Sequence, residues 1–275
     1  GGGLSGQVAA LVVFNGELIA GGAFATAGGV TVNNIARWNG TQWRPLGSGI
    51  AESVAALTVC NGGLMAGANF TSGGMAASCV VRWDGSQWQT LGGQMDGRMQ
   101  TLTVYKGDVV AGGKFFTVGG VTVRYAARWN GSQWTALDSG MEDWVYALTV
   151  FNGELIAGGP FYAAGGVQVN FIARWDGTQW RALGRGMTGG VAAFAPYHGD
   201  LVAGGYFTTA GSLGVNYIAR WNGTEWLPLG GGMDREVGAL AVYNDELIAA
   251  GYFTTAGDVV VNCVARWDGT QWRAL

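Results

Sequence analysis

Apolar and polar positions along the chain form a short pattern that begins again every 45 or 46 residues. In its first pass, Val8 to Phe14 is an apolar run rich in β-branched residues and reads as a strand. Asn15-Gly16 follows, a dipeptide suited to a type I′ hairpin turn because both central residues need positive φ. Glu17 to Gly22 is a second strand closed by a glycine pair. The loop of small residues from Ala25 to Val32 leads to a third strand over 34–38. Asn39-Gly40 is expected to form a second I′ turn, with a fourth strand over 41–46. The apolar runs are continuous rather than alternating, which fits sheets covered on both faces. No segment shows helical periodicity over a useful length.

The most regular stretch is Arg37-Trp38-Asn39-Gly40-Thr41-Gln42-Trp43, which returns at 82–88, 128–134, 174–180, 220–226 and 266–272. These copies hold twelve of the thirteen tryptophans. A fixed period over the whole chain marks a repeat architecture. Four antiparallel strands per repeat, joined by two tight hairpins and one longer loop, predict an all-β, six-bladed β-propeller. Its blades would run over 2–47, 48–92, 93–138, 139–184, 185–230 and 231–275, as a single domain over 1–275. Residue sizes agree with that geometry. The small residues of the first two strands suit a crowded inner region, and the Trp pairs suit the wider outer gap between blades.

A glycine pair closing the second strand, followed by two aromatics that bracket a turn, resembles the kelch motif, and the resemblance extends over all six repeats. The texture is similar to kelch-like repeats of bacterial surface proteins and of fungal cortical polarity-marker proteins, or to a designed or recently amplified propeller. Trp stands where kelch repeats carry Tyr, four residues rather than six separate the aromatics, and Ala68 and Ala250 interrupt the glycine pair. The resemblance implies the propeller fold and leaves function open, since this fold hosts enzymes and binding modules alike. Gly1 aligns with Gly230 and the chain stops just after a fourth strand, so each blade is complete in one stretch. Either the chain was cut from a longer array, or closure rests on side-to-side packing of blades one and six, whose seam would be the weakest.

Composition narrows the function. Of 275 residues 49% are hydrophobic and 12% charged, the net charge is −3, and lysine occurs only at Lys106 and Lys114. Without a basic stripe, nucleic acid and anionic membrane surfaces are not expected partners. No apolar run is long enough to span a membrane, so membrane insertion is not expected. Cys60, Cys79 and Cys263 occupy positions that carry aromatics in other repeats, so they read as small apolar residues rather than a disulfide framework. With His198 the lone histidine, neither a metal nor a cofactor is expected. A monomer is expected. Asn39, Asn69, Asn130 and Asn222 begin glycosylation sequons that matter only in a secreted eukaryotic protein. Extracellular or cell-surface placement is the reading for a natural chain, and the compartment is otherwise open.

The framework arginines Arg37, Arg82, Arg128, Arg174, Arg220 and Arg266 read as scaffold, stacked on tryptophan and bonded to backbone carbonyls. No acid recurs in all six repeats, which argues against a fixed carboxylate partner. Asn39, Asp84, Asn130, Asp176, Asn222 and Asp268 read as turn residues. Met95, Met141, Met187 and Met233, with Leu4 and Ile50 in the other blades, read as a packing position. What varies lies in two loops on one rim. Before the first strand stand Gln7, Ser53, Arg98, Trp144, Gly190 and Glu236, and two positions later Ala9, Ala55, Gln100, Tyr146, Ala192 and Gly238. In the other loop stand Ala23, Asn69, Lys114, Pro160, Tyr206 and Tyr252, and past a constant Phe come Ala25, Thr71, Phe116, Tyr162, Thr208 and Thr254.

A non-catalytic binding or display scaffold is the leading function. Its site would be the channel mouth, lined by Gln7, Arg98, Trp144, Tyr146, Tyr162, Tyr206, Glu236 and Tyr252. Carbohydrate or a protein segment suits such a surface. Two alternatives stand beside it. One is an amplified or engineered repeat scaffold with no evolved ligand, in which the rim has drifted. The other is an enzyme using Glu142, Asp143, Asp234 or Glu236.

Overall fold

The computed structural model describes residues 2–275, so Gly1 and its alignment with Gly230 lie outside the described residues. The protein is an all-β, six-bladed β-propeller, with strands and no helix among the described residues. It divides into two compact units, Gly1–Leu137 with blades one to three and Asp138–Leu275 with blades four to six. Blade five is representative. Val191–Tyr197, Asp200–Gly205, Ile218–Trp221 and Trp226–Pro228 pair antiparallel in chain order. Blades one, three, four and six repeat this four-stranded sheet.

The Asn-Gly turns between first and second strands are of the expected type. Asn15 and Gly16 have φ of 50° and 79°, and Phe14 pairs with Glu17. The turns between the two tryptophans are not. Trp38 pairs with Trp43, so the loop has four residues, and only Gly40 is left-handed, at 97°. The Asn39 side chain replaces the missing backbone bonds. Its Oδ1 accepts from Thr41 N, Thr41 Oγ1 and Gln42 N at 2.9–3.0 Å. An Asx turn of this kind takes Asn or Asp equally. In blade two the backbone N–H groups of Gln87 and Ser86 hold the Asp84 carboxyl down to about 2.

The longer loop is also more ordered than its composition implied. Thr26–Ala27 pairs with Val30–Thr31 as a small hairpin, and blades three to six repeat it. The recurring Met position fastens it, with Met141, Met187 and Met233 bridging to Ala164, Ala210 and Ala256. Those methionines are buried, as a packing role requires. Blade two lacks the small hairpin. It is one residue shorter at this point, and its second and third strands, Gly63–Ser72 and Met75–Trp83, run on as one uninterrupted ladder.

The Trp pair holds neighbouring blades together within each unit. The Trp pair of each blade packs at a tilt, for example Trp221 and Trp226 with centroids 5.4 Å apart. The second Trp then reaches the preceding blade. Trp226 Nε1 donates to Leu183 O and Trp134 Nε1 to Leu91 O, both at 3.0 Å. The arginines correct the sequence reading. Five of the six do pair with an acid, at the start of the second strand: Glu17, Asp108, Glu154, Asp200 and Glu246. The rule was hidden because Glu and Asp alternate there and blade two carries Gly63 beside Arg82. Arg220 and Asp200 lie 2.7 Å apart but are 42% and 20% exposed, so solvent screens the pair.

Trp226→Ala removes a buried ring and a bond between blades, and should cost about 3–5 kcal/mol in urea unfolding. Arg220→Met should cost no more than about 1 kcal/mol. A reversed order would place the framework's strength in the ion pairs.

Candidate functional site

The varied positions come together because they are cross-strand neighbours. Gln7 pairs with Ala23, Ser53 with Asn69 and Arg98 with Lys114. In the second unit, Tyr206 N donates to Gly190 O at 2.9 Å and Tyr252 N to Glu236 O at 3.0 Å. The two loops picked out in sequence therefore form one edge of each blade.

Blade four departs from this pattern for a local reason. Pro160 stands where Tyr206 and Tyr252 stand, and it has no N–H to donate. The bond that Tyr206 N and Tyr252 N make is therefore missing in blade four, and its first strand is regular only from Ala147. Asp143 Oδ1 accepts from Trp144 N at 2.8 Å, and Tyr146 N donates to Gly158 O at 2.8 Å. Trp144 lies edge-on to Tyr146 beside this gap, centroids 6.3 Å apart. Burial pushes the Tyr146 phenol above its usual range, and Tyr206 and Asp143 nearby add to the shift. Trp144 and Tyr146 are half-buried, so Trp144 is less exposed than a bare platform would be.

The second unit thus gathers Trp144, Tyr146, Tyr162, Tyr206, Tyr252 and Glu236. Tyr162, Tyr206 and Tyr252 are exposed. Tyr162 packs on Phe171 at 4.6 Å, a partner the sequence reading missed. Phe171 and its counterparts Tyr125 and Tyr217 have φ of 67–72°, a left-handed backbone that aromatic residues rarely adopt. The sequence signal was their place just before the third strand, where Asn34 and Cys263 have the same conformation. Gln7 and Arg98 lie in the first unit, both exposed. There Phe116 meets Tyr125 edge-on at 6.3 Å, with the Arg124 guanidinium 5.6 Å from the Phe116 ring.

Of the acids weighed for catalysis, Asp234 is occupied structurally. Its Oδ1 accepts from Thr254 N and Thr255 N at 2.8 and 2.9 Å, and Oδ2 accepts from Thr254 Oγ1 at 2.7 Å. Asp96 accepts from Phe116 N and Thr117 N in the same way, and Ser5 and Thr188 use hydroxyls at this position. The residue fastens the small hairpin. Glu142 is exposed, Glu236 half-buried, and Asp143 is engaged with Trp144 N. The described residues contain no group of three or more His, Cys, Asp or Glu placed to hold a metal.

A cleft of about 350 Å³ lies between blades five and six at the tight-turn edge. Its polar groups already have partners. Arg220 pairs with Asp200, Tyr197 Oη donates to Asp245 O at 3.2 Å, and His198 Nε2 lies 2.9 Å from Asp245 Oδ1. The cleft is a gap in the framework, and the aromatic edge is the better candidate. The cysteines are free thiols, with Cys60 buried and the Cys79 thiol pushed up to about 11 by burial. Cys263 is exposed.

Residues 15–40 match a family described as a domain of unknown function (DUF5122) beta-propeller. No curated protein matches the sequence. Among solved structures, the computationally designed Ika8 protein is similar at 17% identity and a TM-score of 0.56, over 98% of this chain and 86% of that one. An acylaminoacyl peptidase of Pyrococcus horikoshii is similar at 12% identity and a TM-score of 0.55, over 94% of this chain and 43% of that one. At these identities the likeness is one of fold.

The Asp234 geometry sets a pH dependence. Hydrogen bonds from Thr255 and Thr254 lower its carboxyl to about 2, against about 3.9 for a free Asp. Its contribution is therefore present above about pH 4 and is lost as pH falls through about 2. Carboxyl NMR titration should give a midpoint near 2, with the Thr254 and Thr255 amides moving together; a midpoint near 4 would contradict the hairpin role.

Proposed function

We propose that the protein is a non-catalytic binding module of kelch-like type, and that its second unit presents the site. The observation that carries this reading is the concentration of Trp144, Tyr146, Tyr162, Tyr206 and Tyr252 on one edge, where the framework requires none of them. Exposed phenol rings offer flat apolar faces with a polar tip, and such rings dominate binding energy where they become buried in a complex. Glu236 and Asp143 supply acceptors beside them. An extended ligand with alternating flat faces and hydroxyl or amide groups suits this edge, either a glycan chain or a protein segment. The fold resemblance to a designed propeller keeps a second reading in play, a repeat scaffold without an evolved ligand.

Tyr206→Ala and Tyr252→Ala separate these readings. Both side chains are exposed, so each change should alter folding stability by no more than about 0.5 kcal/mol. Against a ligand found on glycan and peptide arrays, each should weaken binding by about 2 kcal/mol, read by calorimetry. Trp144→Ala, at a half-buried position, should lose binding and about 1 kcal/mol of stability. Retained binding in all three variants, or no ligand on either array, would favour the bare scaffold.

A further inference from the structure

Five framework arginines are held by a carboxylate of the second strand, at 2.5–3.3 Å. Arg220 shows the rule. It pairs across the ladder with Val202, and Asp200, two residues earlier on that strand, reaches its guanidinium at 2.7 Å. Arg82 is the exception. It pairs with Met65, and the residue two positions earlier is Gly63. Arg82 is exposed, and no carboxylate of the described residues forms an ion pair with it. The side chain nevertheless stays over the glycine, where an added Cβ would lie 2.8 Å from Arg82 Nε.

Arg82 borders a cleft of about 170 Å³ between blades two and three, together with Cys60, Asn61, Asp108 and Asn130. This is the counterpart of the cleft between blades five and six, which Tyr197, His198, Asp200 and Arg220 line. Two groups that occupy Arg220's surroundings are missing around Arg82, since Gly63 replaces Asp200 and Cys60 replaces the Tyr197 ring. The blades on either side are firmly seated. Met99 and Leu102 of blade three rest on Gly67, the first glycine of blade two's pair position, as Val237 and Leu240 rest on Gly204. Asp108, the acid that lines the cleft, is engaged by Arg128. Asn61 Nδ2 donates to Gly107 O at 3.1 Å, which uses one of its two N–H groups.

We propose that Arg82 and Asn61 form a binding site for a monocarboxylate, which takes the place that Asp or Glu fills beside the other framework arginines. The ligand class follows from the chain itself, which satisfies the same guanidinium with a carboxylate in five blades. A guanidinium presents parallel N–H groups that match the two oxygens of a carboxylate. The free N–H of Asn61 adds a donor, and the cleft has room for a group the size of a glutamate side chain. Asp108 sets the charge limit. Its pairing with Arg128 leaves little net field, but a second negative charge on the ligand would meet it at close range. All of these residues belong to the first unit, and the proposal is independent of the function proposed for the aromatic edge.

Proton–nitrogen NMR at neutral pH and constant ionic strength tests this, with acetate and N-acetylglycine as probes and inorganic phosphate for comparison. The Arg82 Nε–H and Asn61 amide signals should move saturably with either carboxylate, while Arg220 Nε–H, already paired with Asp200, stays in place. Phosphate should bind at least about threefold more weakly, because of its second charge. Gly63→Glu supplies the sixth carboxylate from within the chain and should abolish both responses. Gly63 is outside the left-handed region and the atom an added Cβ would meet is on the flexible Arg82 side chain, so this variant should fold, which circular dichroism checks. Arg82→Gln, read at Asn61, should lose the response as well and carries the test if Gly63→Glu does not fold. The proposal is overturned if neither carboxylate gives a saturable shift, or if Arg220 responds with the same midpoint as Arg82. It is equally overturned if a folded Gly63→Glu protein or Arg82→Gln keeps the response, or if phosphate binds as tightly as acetate.

Discussion

The close seating of one blade on the next is the constraint on which the rest of the structure depends. A Val or Met side chain of the following blade rests where the first glycine's Cβ would be, so the sheets approach only because that atom is missing. Once they are that close, the remaining contacts follow. Trp226 reaches the Leu183 carbonyl, and Trp221 covers Gly184, whose φ of 63° also excludes a side chain in comfort. Core clusters such as the one running from Phe151 to Trp226 therefore lie between blades rather than within them. A single twisted sheet of this size has no interior of its own, and stacking supplies one.

That dependence explains which positions are free to vary. Strand centres, the glycine seat and the Trp pair are each engaged on a neighbouring blade, and a change there must be absorbed by packed atoms. The edge with the small hairpins is different. It is fixed by backbone bonds and by one short polar side chain, Ser5, Asp96, Thr188 or Asp234, and the adjacent residues face solvent. Side chains can change there without disturbing a joint, which is why a recognition surface can be placed on that edge.

Much of this was legible in the sequence, because a repeat states its rules several times. The strand order, the I′ turns between first and second strands, the Met packing position and the shared edge of the two varied loops all followed from comparing blades. What escaped had no signal of that kind. The acid partner of the arginines alternates between Glu and Asp and is absent at Gly63, so identity across repeats concealed it. The loop at Asn39 looked like an Asn-Gly hairpin, yet a side-chain oxygen rather than a second left-handed residue closes it. The small hairpin lies in residues chosen for conformation rather than hydrophobicity, which periodicity does not detect. At the candidate site, the varied aromatics could be named from sequence, but the shortened first strand opposite Pro160 and the support of Tyr162 by Phe171 needed the structure.

The most direct test of the glycine seat is Gly204→Ala, read by urea unfolding. The glycine's φ is not in the left-handed region, so the added methyl acts through space alone, 2.5 Å from Val237 Cγ1. Overpacking at such a joint should cost about 1–3 kcal/mol, and shortening the opposing side chain with Val237→Ala in the same molecule should recover part of it. If Gly204→Ala instead leaves stability unchanged or raises it, as a glycine-to-alanine change in an uncrowded strand would, blade seating does not depend on the missing Cβ and the account fails.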